Sequence, residues 1–179
     1  MLKLIVEGDE FYNEESNTFS TVGDVVLEFE HSLVSLSKWE SEFQKPFLAP
    51  GDKTSEEIFA YIQAMIINDF DPTSIHRLNQ SQLNAINSYI ESKQSATTFG
   101  NMPDTTGRGE TITSELIYYW LVAFNIPFEC QYWHLNRLFA LIRICNVKNS
   151  KPKKMSRNEM AQRNRELNAQ RRAQMNSTG

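Results

Sequence analysis

VVLEFEHSLVSLSKWESEF, residues 25–43, changes its hydrophobic period midway, and that change decides the fold. Val25, Leu27 and Phe29 alternate with Val26, Glu28 and Glu30, the two-residue period of a strand with one face in water. From Leu33 onward the apolar side chains fall three or four apart: Leu33, Leu36, Trp39 (with Glu40 beside it) and Phe43. That spacing makes one face of a helix of about three turns. A short β segment therefore runs directly into a helix.

Upstream, LKLIVEG is a strand rich in branched residues, and Gly8-Asp9, NEESN and Gly23-Asp24 are turn signals. Residues 2–30 are read as a small antiparallel hairpin or meander. Downstream, Pro46 and APGD end the first helix, and Thr54 with Glu57 forms a capping box for a second. Its stripe is Ile58, Tyr61, Ile62, Met65 and Ile66. Asp71-Pro72 has the form of a cap followed by a first-turn proline, and Ser81 is placed to cap a helix carrying Leu83, Ile86, Tyr89 and Ile90. Residues 94–110 have no periodicity. Thr113 caps SELIYYWLVAFN, apolar nearly all round and read as a buried central helix stopped by Asn125 and Pro127. A last core helix is expected from Glu129 to Asn146, with Leu135, Leu138, Phe139, Ile142 and Cys145 on one face. The fold class is α+β, mostly α: a small β segment (1–30), a bundle of about five helices (31–148), and a tail (149–179).

Charge separates the same parts. From Lys148 to the end the chain holds nine Lys or Arg and two acids, a net of +7. The preceding 147 residues hold nine bases and twenty acids, a net of -11. The boundary falls in NSKPKK, residues 149–154. The tail has few large apolar residues, so it cannot bury enough surface to fold alone. Ser156 and Glu159 have capping-box spacing, which allows a tail helix from Arg157 to about Ala173. No apolar run is long enough to span a membrane, the N-terminus turns acidic too soon for a signal peptide, and two unframed cysteines fit a reducing compartment. The expected setting is soluble and intracellular.

Catalytic and metal-binding chemistry has little to stand on. Cys130 and His134, four apart, would share a helix face, but zinc needs two more ligands, and His31 and His76 lie in unrelated contexts. A Cys145 thiol on an apolar stripe is inert. TTGRGET lacks the spacing and lysine of a phosphate loop. Glu14-Glu15 and Glu56-Glu57 occupy a turn and a helix first turn, ordinary places for acids. No enzyme activity and no cofactor are expected. Binding has better candidates, because Trp, Tyr and Arg dominate interface hot spots. Trp39 and Phe43 on the first helix are taken as anchors, with Trp133 and Arg137 in CQYWHLNRL on the last; core packing is the alternative for each. In the tail the candidates are Arg157, Arg163, Arg165, Arg171 and Arg172. The tail has no aromatic side chain to stack a base, so specific nucleic-acid reading lacks support, although salt-sensitive binding through the arginines stays open.

The stretch LEFEHSLVSLSKWESEFQKPFL, followed by SEEIFAYIQAMI, resembles the opening of phage tail assembly chaperones. The residues that carry the likeness are His31, Ser32, Leu33, Ser37, Trp39, Glu40, Lys45, Pro46, Phe47 and Leu48. Residues 112–146 and the basic end from Lys153 resemble small phage assembly proteins in style. The resemblance implies a non-enzymatic protein that coats the tape-measure protein, recruits tail-tube subunits and leaves the finished particle. It implies the short form of a pair in which the longer one arises by frameshifting. The implied setting is the host cytoplasm, with self-association open. Two other readings compete: a permanent virion component such as a baseplate, hub or connector subunit, and a nucleic-acid-associated protein acting through the tail.

Overall fold

A computed structural model describes residues 1–13, 18–98, 111–149 and 157–175. They form two compact units, Met1–Asn146 and Val147–Gly179. The class is α+β, mostly α, as the periodicities predict.

The β segment is a hairpin, not a meander. Strands β1 (Leu2–Val6) and β4 (Val25–Phe29) pair antiparallel, as do β2 (Asp9–Asn13) and β3 (Thr18–Val22). One register runs through both ladders: Leu2 faces Phe29, Val6 faces Val25, Asp9 faces Val22 and Asn13 faces Thr18. Gly8-Asp9 and Gly23-Asp24 are therefore not chain reversals; they mark a break between two lengths of one arm. Gly8 is required there, since a Cβ would sit 2.2 Å from the Val22 carbonyl oxygen. Its N–H donates instead to Asp24 Oδ1 at 2.7 Å. The turn signal NEESN falls largely outside the described residues.

Alternation puts Val6, Leu27 and Phe29 in the core and leaves Ile5 and Val26, which face each other across the ladder, exposed. The free edge of β4 is covered by the chain after the second helix. Glu30 N–H donates to Met65 O at 2.9 Å, Ile67 N–H to Glu28 O at 3.0 Å, and Asn68 Nδ2 to Val26 O at 3.0 Å.

Helix α1 (Leu33–Phe43) starts on a capping box made by Ser32 and Ser35 and stops at Gln44, in the left-handed region with φ 52°. Helix α2 (Ser55–Ala64) has the expected Thr54/Glu57 box. Its buried stripe differs from expectation in one member: Ile58 is exposed, and Glu57 turns inward in its place. Asp71 and Pro72 open a 3-10 turn (Pro72–Arg77). Helix α3 (Gln80–Glu91) is capped by Asn79, not Ser81, because Asn79 and Gln82 supply a full reciprocal box.

Helix α4 (Ser114–Ala123) is capped by Thr113 as expected, but it is not buried all round. Ile117 and Leu121 are fully buried, whereas Tyr119 and Val122 are about 60% exposed. The expected single helix 129–146 is also two elements: a 3-10 turn (Phe128–Tyr132), a break at Trp133 and His134, then α5 (Leu135–Asn149). His134 serves as the cap of α5, with its Nδ1 accepting the Asn136 N–H at 3.2 Å.

Two apolar clusters result. One joins the inner face of β1 and β4 to Trp39, α2, the 3-10 turn Pro72–Arg77 and α3. The other joins Leu33 and Leu36 to α4 and α5. Helix α1 supplies both from one stripe: Leu33 and Leu36 at its start to the second cluster, Trp39 a turn later to the first. In the second unit, α6 (Arg157–Met175) is a single helix whose described side chains are all exposed. The Ser156/Glu159 capping pair lies outside the described residues.

Candidate protein-binding surfaces

Of the residues that carry the chaperone resemblance, His31, Ser32, Leu33, Trp39 and Glu40 are buried, whereas Lys45 and Leu48 are exposed. His31 and Ser32 are buried, Ser32 as the α1 cap. Trp39 is 2% exposed, and its indole Nε1–H donates to Glu57 O at 2.8 Å. Phe43 lies 4.9 Å from it, Phe47 meets it edge-on at 5.0 Å, and Phe47 stacks on Tyr61 at 3.9 Å. Lys45 Nζ reaches Glu57 Oε1 at 2.7 Å. That contact, with the Thr54 N–H, holds the Glu57 carboxyl below its ordinary pKa.

Trp39 is therefore corrected from binding anchor to core residue, and half-buried Phe43 forms the rim of the same cluster. The reason is geometric. Trp39 lies on the apolar stripe of α1 that faces the hairpin and α2, and the outward positions are held by Lys38, Ser41 and Glu42.

Glu40 is the polar counterpart. Its side chain is buried, Oε1 accepts the Phe47 N–H at 2.9 Å, and Oε2 accepts the Ser114 N–H at 2.7 Å. One carboxylate thus ties α1 to the following loop and to the first turn of α4, where acids are favoured.

His31 and His134, unrelated in sequence, meet at 5.1 Å between ring centroids. Burial, with the neighbouring His134, lowers the His31 pKa to about 4, and burial lowers that of His134 as well. His134 Nε2–H donates to Tyr89 O at 2.9 Å, which with its Nδ1 acceptor role fixes the neutral tautomer. Tyr61 lies across from His31, its hydroxyl 2.5 Å from Nδ1, with its pKa raised by burial. Glu30 is near His134 and accepts from Tyr89 Oη at 2.7 Å; the Met1 amino group is 2.8 Å from Glu30.

The pair is a structural joint between the end of β4 and the start of α5, reinforced by the Leu135 N–H donating to His31 O at 2.7 Å. It predicts a pH effect. With a folded pKa below the unfolded one, the unfolded chain takes up protons first, so stability is full above about 6.5 and falls as pH drops toward 4. For His31 the loss is about 3 kcal/mol, at about 1.4 kcal/mol per unit. Urea unfolding at pH 7.0 and 4.5 measures it, and His31→Asn is expected to flatten that slope. An unchanged slope would show that His31 does not carry the effect.

Among the described residues, no three His, Cys, Asp or Glu side chains are grouped to hold a metal ion. The Cys130/His134 face disappears with the break before α5: Cys130 sits in the 3-10 turn with its pKa raised by burial. A cleft of about 560 Å³ beside the ladder break is lined by Glu7, Asp9, Thr73, His76, Arg77 and Gln82, mixed in charge and open to water. No helix among the described residues is long and apolar enough to cross a membrane.

Exposed aromatics occur elsewhere. Tyr119 and Val122 lie one turn apart on α4, and Phe128 and Tyr132 stand on the 3-10 turn after it, all more than half exposed. Tyr118 links the two elements: its ring is 6.5 Å from Phe128, and its hydroxyl donates to Gln131 Oε1 at 2.9 Å. Proximity to Tyr132, after burial, raises its pKa.

At the edge, Arg137 lies 4.1 Å over the Trp133 ring, so these two predicted anchors are brought together. Trp133 is half-buried and Arg137 exposed. His134 and Asn136 from the same span point inward, the latter donating to Ile90 O and Ser92 O.

Sequence reading missed Tyr119, Val122 and Phe128; Tyr132 belongs to the CQYWHLNRL span that composition marks for partner contact, though Trp133 and Arg137 are the anchors taken from it. The signal available was Pro127 and Glu129 flanking Phe128, a polar setting for a core aromatic. In the second unit Arg157, Arg163, Arg165, Arg171 and Arg172 are exposed along α6. No family model matches the chain, and no curated protein or solved structure matches it significantly.

Proposed function

We propose that this protein is a phage tail assembly chaperone of the short-form type, which holds the tape-measure protein soluble in the host cytoplasm and recruits tail-tube subunits to it. The observation that carries the reading is the set of exposed aromatic side chains on α4 and the adjoining 3-10 turn, where Tyr119, Phe128 and Tyr132 are each more than half exposed. Rigid Tyr and Phe anchors lose little side-chain entropy on binding and suit an apolar-striped helix such as a tape-measure segment presents. The resemblance of residues 27–48 to that family supports the same reading through the framework rather than the contact surface.

Co-expression with the tape-measure protein is expected to give a complex that survives size-exclusion chromatography. Replacing both Tyr119 and Tyr132 with alanine should weaken it at least ~10-fold, about 1.4 kcal/mol, at unchanged thermal stability. A complex unaffected by the double variant would move the site elsewhere; no complex at all would remove the reading.

Mass spectrometry of mature particles separates a chaperone, which leaves, from a permanent virion subunit. The five exposed arginines of α6 favour a second reading, nucleic-acid binding through the tail. That reading requires an affinity that falls steeply with salt.

A further inference from the structure

Helix α6 has a patterned face. Met160, Arg163, Leu167, Arg171 and Met175 follow one another at spacings of three, four, four and four, so they form one line along the helix. Apolar and cationic side chains alternate down that line, and all five are exposed. None of the described side chains of this 19-residue helix is buried, although packing is the main source of helix stability in proteins.

The aromatic face of the first unit has the opposite character. Residues 111–132 contain two acids, Glu115 and Glu129, and no Lys or Arg. Glu115 lies one turn before Tyr119, and Glu129 follows Phe128. Tyr and Phe rings offer apolar area to methionine and leucine and negative ring faces to arginine. The two surfaces are complementary in charge and in apolar content.

We infer that in the absence of another partner the α4 face takes helix α6 of a second copy of this chain, giving head-to-tail self-association that a partner helix must displace. The inference rests on reading the α4 face as a helix-binding surface, not on which protein the partner is. The contact joins two different patches, so it is heterologous: each copy keeps one open face and one open helix, and the assembly extends or closes into a ring.

Sedimentation velocity on the full chain tests it. The wild type is expected to associate with rising concentration at about 50 mM salt, at least ~10-fold more weakly at about 500 mM, because exposed charges are screened. Two variants then separate the halves of the contact. Met160→Asp with Leu167→Asp disables the helix and leaves the face. Tyr119→Asp with Tyr132→Asp disables the face and leaves the helix.

Each variant alone should sediment as a monomer, with circular dichroism showing that the body is still folded. Mixed together, they should form a 1:1 dimer and nothing larger. A wild type that stays monomeric at all concentrations overturns the inference, as does a helix variant that still self-associates or a mixture that does not dimerise. The tape-measure pull-down reads the chaperone proposal independently of these outcomes.

Discussion

Replacing Trp39 with alanine is expected to lower the unfolding free energy by about 4 kcal/mol, the range for emptying a fully packed aromatic site. The indole is 2% exposed and touches Phe43 and Phe47, so its removal leaves a void that Phe47 cannot fill without losing its own stacking on Tyr61. Trp39→Phe keeps most of the volume but strands the Glu57 carbonyl that accepts the indole N–H, a loss of about 2 kcal/mol. Urea titration followed by circular dichroism reads both values. The second variant also decides between core and anchor, since its partner affinity should equal that of wild type under conditions where both are folded. A drop of less than about 1 kcal/mol for the alanine variant would contradict the burial described here.

Glu40→Ala is the second large effect, expected at about 3–4 kcal/mol. It deletes the acceptor for two backbone N–H groups, those of Phe47 and Ser114, at a carboxylate that is itself buried. Glu40→Gln is milder, about 2 kcal/mol, because the amide oxygen still accepts one bond while its NH2 group faces the other donor. Native-state hydrogen exchange gives the sharper readout. The Phe47 and Ser114 amides should lose protection in both variants before the rest of α1 does. Unchanged protection at Ser114 would mean that the carboxylate does not hold the start of α4.

The parts of this fold that were legible in the sequence are those set by local rules. The shift from alternation to helical spacing between Phe29 and Leu33 placed β4 and α1, and the Thr54/Glu57 and Thr113 caps placed α2 and α4. What was not legible depends on neighbours distant in the chain. Trp39 carries the same local signal whether it faces a partner or the hairpin, and only the hairpin's position decides. Helix α4 is apolar on every side, so periodicity could not say which residues face out; Tyr119 and Val122 do because α1 and α5 cover the side that carries Ile117 and Leu121. His31 and His134 are about a hundred residues apart, and no spacing rule joins them. Trp133 and Arg137 stand out by composition, and the structure stacks one on the other.

The shared role of α1 has a consequence for how the first unit comes apart. Leu33 and Leu36 belong to one cluster and Trp39 to the other, on the same eleven residues. Neither cluster can melt while α1 stays intact for its neighbour's benefit, because losing the helix removes a wall from both. The hairpin side and the α4–α5 side therefore behave as a single cooperative block rather than as two foldons, with amide exchange in β4 and in α5 reporting one shared opening free energy.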